Sequence, residues 1–259
     1  MTEPPPRLSI IIPAHNEETR LRQTLEALLA SEWVGKNESE IIVVDDGSTD
    51  ATSAVVHAYS DRHPSVRLLR NQPNRGKGYS VQRGFMAARG EVVVFTDADL
   101  SAPIAEAEKL MVALRRGYDI AIGSRAVDRA HIQVKRTRFR ALLAHIFRAL
   151  VLVILGLPFK DTQCGLKAFR RARTELLFGQ QRIERYAFDA ELLFLADKKL
   201  LRVAEVGVNW HYNQSSKIHL LSDGTRMLVD LFRIRWWWLI GAYSKEKFGS
   251  SPQPTSKLT

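Results

Sequence analysis

Glu91 to Ser101 reads E-V-V-V-F-T-D-A-D-L-S. Val92, Val93, Val94 and Phe95 form a short run of β-branched and aromatic residues, which predicts a buried strand of a parallel sheet. The run ends on two carboxylates, Asp97 and Asp99, with Ala98 between them. Ligands of open α/β sheets bind beyond the carboxyl ends of the strands. Carboxylate oxygens there suit a hard divalent cation shared with phosphate oxygens. Asp is also common in turns, so the pair acquires meaning from the rest of the chain.

The same pattern recurs upstream. Leu8 to Ile12 predicts a first strand, stopped at Pro13 and followed by A-H-N-E-E. Asn16 is the expected N-cap of the next helix, with Glu17 and Glu18 in its first turn. Leu21, Leu25, Leu28 and Leu29 then recur at helical spacing. Glu40 to Val44 predicts a second strand, ending in D-D-G-S-T-D, where Ser48 or Thr49 is the expected cap of a helix carrying Val55 and Val56. Val66 to Leu69 predicts a third strand, Tyr118 to Arg125 a fifth, and Arg202 to Trp210 a last one with alternating valines. Strands alternating with helices indicate a mainly parallel α/β sheet. Glu17, Asp45 with Asp46, and Asp97 with Asp99 then sit at three strand ends that open onto one edge. Caps and turns explain Asn16 and Ser48. They do not explain paired carboxylates, which repel unless a cation or donor joins them.

No dinucleotide fingerprint is present: Gly76 to Val81 comes nearest, and position 81 is Val. No P-loop is present either. N-R-G-K-G supplies a cationic turn into a helix over Tyr79 to Ala88, and its Lys77 either meets a nucleotide phosphate or stays solvated. Arg125 ends the fifth strand, where it meets a phosphate or pairs with a strand-end acid.

The 259 residues are 45% hydrophobic and 25% charged, an ordinary globular composition, and carry a net charge of +10. Such a charge suits nucleic acid, an anionic membrane surface or phosphorylated substrates. No nucleic-acid-binding signature is present, so nucleic acid is not an expected partner. Cys164 is the only cysteine, which excludes an internal disulfide and reads as a small packing residue. M-T-E-P-P-P-R has no secretory pattern, and no run of about 18 uncharged apolar residues exists to span a membrane.

From Arg129 to Lys160 the chain carries Arg129, Lys135, Arg136, Arg138, Arg140, Arg148 and Lys160 and no acid. Within this stretch Phe139 to Leu157 combines a basic half and an apolar half. That pattern predicts a helix lying in a bilayer interface, with core packing as the alternative. D-T-Q-C-G (161–165) follows, where a lipid headgroup would arrive. Met227 to Tyr243 carries W-W-W flanked by Arg233 and Arg235, again expected at a membrane interface. From Ser244 on, the Ser/Pro/Lys-rich tail is expected to be disordered.

Taken together, I-I-I-P-A-H-N-E-E (10–18), V-V-D-D-G-S-T-D-A-T (43–52), N-R-G-K-G (74–78), F-T-D-A-D-L-S (95–101), G-S-R (123–125), D-T-Q-C-G-L-K-A-F (161–169) and E-R-Y-A-F-D-A-E-L-L-F-L-A (184–196) resemble glycosyltransferase family 2. The resemblance runs from Leu8 to Lys217 and is nearest to the branch that glucosylates dolichyl phosphate. It implies a GT-A fold, a nucleotide-sugar donor and Mg²⁺ or Mn²⁺. It implies that Pro13, Ala14 and Glu17 line the nucleoside pocket and that Asp46 meets the base. Asp97 and Ala98 would face the nucleotide sugar, Asp97 and Asp99 the metal. Arg125, Arg136 and Lys217 would neutralise phosphates, and Asp161 and Gln163 would stand beside the reacting sugar and acceptor. The Q-x-x-R-W motif of polymer-forming members is replaced by E-R-Y (184–186), which argues for one sugar per acceptor. Ser101 stands where mannosyl members often have Gln, which leaves the third metal ligand open.

The expected organisation is one GT-A catalytic domain over 7–222, with a nucleotide-sugar half (7–127) and an acceptor half (128–222). A membrane-associating helix follows at 223–243 and a tail at 244–259. The expected activity is inverting, metal-dependent transfer of glucose from UDP-glucose to dolichyl or polyprenyl phosphate, on the cytoplasmic face of a membrane. GDP-mannose-dependent transfer and a nucleotide-sugar-binding scaffold without turnover are the alternatives. The sequence leaves the oligomeric state open.

Overall fold

Ile10, Ile11 and Ile12 are all fully buried, as are Val93 and Val94. Consecutive buried residues on a strand need cover on both faces of the sheet. The computed structural model describes residues 6–127, 138–211 and 220–243. Among these residues one sheet contains β1 (Leu8–Ala14), β2 (Ser39–Asp45), β3 (Val66–Arg70), β4 (Val92–Thr96), β5 (Ile120–Ser124), β6 (Leu166–Arg170) and β7 (Val203–Gly207), in the order β3-β2-β1-β4-β6-β5-β7. The helices are α1 (Glu18–Leu29), α2 (Glu32–Lys36), α3 (Thr52–Ser60), α4 (Lys77–Ala87), α5 (Ala107–Arg115), α6 (Arg138–Leu150), α7 (Arg171–Gln180), α8 (Phe188–Lys198) and α9 (Leu220–Leu239).

Alternate strand residues serve two cores. Ile10, Ile12, Ile41, Val43 and Val94 meet Leu21, Leu25 and Leu28 of α1, Val56 of α3 and Leu110 of α5. Ile11, Ile42, Val44, Val93 and Phe95 meet Val81 and Phe85 of α4, Leu177 and Phe178 of α7, most of α8, and Leu231 and Ile234 of α9. Each such fully buried side chain contributes about 1.5–3 kcal/mol. Tyr243, after α9, donates its hydroxyl to the buried Glu191 of α8 at 2.6 Å, which fixes the end of α9 to the domain.

The strand β6 was not expected. It pairs antiparallel with both β4 and β5, the other pairings being parallel, so the sheet is mixed. L-K-A-F-R carries two cations in five residues, which hides the alternation of a buried strand. Lys167 is nevertheless buried, held by Asp189 at 2.7 Å and by the carbonyl of Cys164 at 2.5 Å. The expected caps are also corrected. Asn16 has φ 55° and its Oδ1 accepts from the backbone N–H of Thr49, so α1 starts from Glu17 instead. Ser48 accepts from the N–H of Asn16, and Asp50 rather than Ser48 or Thr49 takes the N–H of Thr52 at the start of α3.

The helix expected over Phe139 to Leu157 is present as α6 continued by a π-helical turn, Val151–Leu155. Its surface is divided: Val151, Leu155 and Leu157 are buried in the core, whereas Leu142, Ile146, Leu152 and Val153 are exposed. The tryptophans of α9 divide in the same way. Trp237 and Trp238 pack on the core and Trp236 is exposed. Among the described residues no helix is long and apolar enough to cross a membrane.

Candidate active site

Because β1, β2, β4 and β5 run parallel, the residues following them share one edge of the sheet. That edge holds Glu17, Asp46, Asp97, Asp99 and Arg125. β6 runs the other way, so its entrance, D-T-Q-C-G, arrives at the same edge. The register sets Thr96 against Leu166, which brings Asp97 opposite Gly165. Of the expected site residues, Arg136 and Lys217 lie outside the described residues.

Asp46 is buried and organises the N-R-G-K-G turn. One carboxylate oxygen accepts from Asn71 Nδ2 at 2.8 Å and from the N–H of Arg75 at 3.0 Å; the other accepts from the N–H of Gly76 at 2.7 Å. Gly76 has φ 111°, and a Cβ there would meet the carbonyl of Glu184 at 2.6 Å, so only glycine fits. Arg75 pairs with Glu184 on the far side of the turn. The turn thereby delivers Lys77, the first residue of α4, to Asp97, with Nζ 2.6 Å from Oδ1. Burial alone would lower the Lys77 ammonium, but Asp97 and Asp189 more than offset it and hold it above the ordinary lysine range. It is a fixed positive charge at the sheet edge, next to the acidic end of β4.

A second constraint acts on Asp97 from the opposite strand. A Cβ placed on Gly165 would lie 1.9 Å from Asp97 Oδ2. The glycine of D-T-Q-C-G is therefore the space that the Asp97 carboxylate occupies. We expect Gly165→Ala to leave the melting temperature within a few degrees and lower turnover by about 10²-fold, the scale of an ångström-level misplacement. Wild-type turnover in this variant would show that Asp97 needs no fixed position. Cys164, beside it, is fully buried, and burial pushes its thiol up to about 11. It is a packing residue, not a nucleophile.

Asp161 and Arg125 form one unit. Arg125 donates to Asp161 from Nε at 2.6 Å, from Nη2 at 2.8 Å and from its backbone N–H at 3.0 Å. The guanidinium also stacks over Trp210, 4.8 Å from the ring centroid. The pairing is with Asp161, not with a strand-end acid. Burial would raise the Asp161 carboxyl, but Arg125 outweighs it and holds the group below the ordinary carboxylate range. A locked carboxylate of that kind orients its neighbours and does not take up protons. It accepts the N–H of Gln163 at 3.2 Å, and its own N–H is held by Glu205 of β7 at 2.8 Å. Gln163 Nε2 is buried with no hydrogen-bond partner among the described residues. Such an orphaned donor is satisfied by a group beyond the described residues, in the rest of the chain or in a ligand.

Around these, Ala98 accepts from Thr24 of α1 through its carbonyl at 2.6 Å, and Asp99 accepts the N–H of Ser101 at 3.0 Å as its one hydrogen bond among the described residues. Pro13 and Ala14 end β1, and Ala14 accepts the N–H of Asp46, which ties the first two strand ends together. Glu17 pairs with Arg20 at 3.2 Å. The N–H of His211 donates to Ser101 at 2.7 Å, which sets that residue beside the Asp99 turn.

Residues 9–177 match the model of glycosyl transferase family 2. The chain belongs to glycosyltransferase family 2. A dolichyl-phosphate beta-glucosyltransferase of Drosophila melanogaster is 41% identical over 249 residues, 91% of this chain and 76% of the relative. The Homo sapiens and Saccharomyces cerevisiae proteins of the same description are 37% and 33% identical, covering 94% and 93% of this chain and 79% and 77% of their own lengths. Among solved structures, glucosyl-3-phosphoglycerate synthase from Mycobacterium tuberculosis with Mn²⁺, UDP-glucose and phosphoglyceric acid aligns with a TM-score of 0.67 at 21% identity, over 89% of this chain and 79% of that one. At that identity the likeness shows the GT-A fold.

The donor set at the sheet edge just described fits a hard divalent cation. Among the described residues no group of three or more His, Cys, Asp or Glu side chains converges on one point. Asp97 and Asp99 supply hard oxygens only, and one of them is already shared with Lys77. Mg²⁺ and Mn²⁺ suit one or two carboxylates completed by substrate phosphates. Reading the sequence by strand ends missed Gly165, Lys167, Asp189 and Glu205. Each acts through a partner far along the chain, so no local spacing marks them.

Proposed function

We propose that this family 2 enzyme transfers glucose from UDP-glucose to dolichyl or another polyprenyl phosphate, one sugar per lipid, with inversion at the anomeric carbon. One observation carries the reading. Proteins named dolichyl-phosphate beta-glucosyltransferases are 33–41% identical over about nine-tenths of the chain. The site supports it independently. The E-R-Y segment replaces the polymerising motif, and D-T-Q-C-G packs directly on Asp97.

In this reading Pro13, Ala14, Glu17 and the Asp46-organised turn receive the nucleoside, and Lys77 faces the diphosphate. Asp97 and Asp99 hold Mg²⁺ or Mn²⁺, which when bound offsets charge developing on the leaving diphosphate. Lys77, already held charged, adds a preorganised cation where that charge appears. The acceptor phosphate has a second pKa of about 6 and is largely ionised near neutrality. It needs orientation rather than a base, which suits Asp161, a carboxylate that stays ionised and locked. Gln163 Nε2 is the free donor for the sugar or the acceptor. Arg136 and Lys217 are assigned to the acceptor phosphate.

The apolar exposure of α6, the π-helical turn and α9 supports peripheral attachment to a membrane, where a lipid acceptor resides, and we assign it to the cytoplasmic face. Titration calorimetry tests the donor. UDP-glucose with Mg²⁺ should bind at least tenfold more tightly than GDP-mannose. Tighter binding of GDP-mannose would move the enzyme to the mannosyl reaction, binding of UDP-glucose without turnover would leave a nucleotide-sugar-binding scaffold, and no binding of either would refute the donor assignment.

A further inference from the structure

α9 presents three different surfaces. Asp223, Asp230, Leu231 and Ile234 are buried against the domain. On the opposite side Val229, Phe232, Trp236, Leu239 and Ile240 are 49–65% exposed and fall at helical spacing into a single stripe. On one flank, between the stripe and the buried face, lies a cleft of about 380 Å³ lined by Arg185, Thr225, Arg226, Val229, Asp230 and Arg233. Arg233 pairs with Asp230 at 3.2 Å. Arg185 and Arg226 carry no ion pair among the described residues, so three guanidinium groups face one carboxylate. Burial pushes the Asp230 carboxyl up against the pull of the Arg233, Arg185 and Arg226 charges.

Val229 belongs both to the cleft and to the stripe. A molecule that uses both surfaces is anionic at one end and apolar at the other. Guanidinium forks match phosphate oxygens, and an interfacial helix keeps its arginines at the depth of the headgroups. We infer that the Arg185–Arg226–Arg233 cleft is a binding site for the phosphate of an anionic bilayer phospholipid, whose acyl chains run along the exposed stripe of α9. The lipid is an anchor and not the acceptor. The cleft reaches the sheet edge through Arg185, whose Cγ a Cβ on Gly76 would meet at 3.0 Å. Asp97, Asp99, Asp161 and Gln163 do not line it, whereas an acceptor phosphate must reach them. A second copy of the chain fits less well, because a two-fold contact here sets like arginine clusters near each other.

The inference rests on the membrane-attachment part of the proposed function, and vesicle flotation of the full chain separates the two. Vesicles of phosphatidylcholine are compared with vesicles that also contain phosphatidylglycerol. Wild-type protein should prefer the anionic vesicles. Arg226→Gln with Arg233→Gln should lose about 25-fold in anionic binding, about fivefold per arginine. The double variant should keep its partition into neutral vesicles and its glucosyl transfer in detergent, and should lose a few degrees of melting temperature because the buried Asp230 loses Arg233. Arg226→Lys with Arg233→Lys keeps the charge but not the fork, and should lose about fivefold.

Several results would overturn the site. They are equal binding of wild-type protein to both vesicles, wild-type behaviour of the glutamine variant, and wild-type behaviour of the lysine variant, which would reduce the cleft to diffuse surface charge. A raised acceptor KM for the glutamine variant in neutral detergent would reassign the cleft to the acceptor. Absence of the wild-type chain from every vesicle would overturn attachment together with the site.

Discussion

Asp161→Ala should lower the melting temperature by roughly 10 °C and abolish turnover. The substitution strips Arg125 of a bidentate partner at 2.6 and 2.8 Å and leaves a guanidinium that is only 18% exposed. Breaking a buried pair from one side costs about 3–5 kcal/mol, and each kcal/mol moves the melting point by about 2–4 °C in a chain of this size. The carboxyl is held below the ordinary carboxylate range, so its stabilisation is present at neutral pH. It is lost as pH falls from that ordinary range through the depressed value. Adding Arg125→Met removes the orphaned charge. The double variant should regain most of the stability and none of the turnover, because orientation of Gln163 and the acceptor is still gone. A single Asp161→Ala variant that melts like wild type would refute the locked pair. An active double variant would refute its role in catalysis.

Asp99→Ala should lower turnover by about 10³-fold with almost no change in melting temperature. Among the described residues the side chain accepts one backbone N–H and is only half-buried, so its loss hardly disturbs the fold. A bound divalent ion supplies several kcal/mol of charge stabilisation to phosphate chemistry, and about 4 kcal/mol corresponds to about 10³ in rate. Wild-type protein should lose activity to a chelator and regain it with Mg²⁺ or Mn²⁺. Full activity of Asp99→Ala in chelator would remove the metal from the mechanism.

The parallel strands were legible because their Val and Ile runs are buried on both faces, which leaves no polar alternation to confuse with helix. The acids at their ends then had to share an edge, and they do. Longer-range pairings were not legible. Leu166–Arg170 was hidden as a strand because Lys167 reads as solvent-exposed, yet Asp189 and a carbonyl take it into the core. Arg125 was expected to meet a phosphate or a strand-end acid, but its partner is 36 residues further on. Asn16 followed the statistics of caps and still failed as one, since its left-handed backbone turns the side chain toward Thr49. In α9 the exposed positions 229, 232, 236, 239 and 240 follow the helical period, so the outward stripe was present in the sequence. Reading W-W-W as a block concealed that only Trp236 belongs to it.

Organic extraction decides whether glucose passes from UDP-glucose to a polyprenyl phosphate. The full chain is incubated with labelled UDP-glucose, dolichyl phosphate and Mg²⁺, and the lipid phase is counted before and after mild acid. The expected result is label in the lipid phase, released by acid as glucose, with none from labelled GDP-mannose. Label entering lipid from GDP-mannose alone, or passing only into a soluble acceptor, would contradict it.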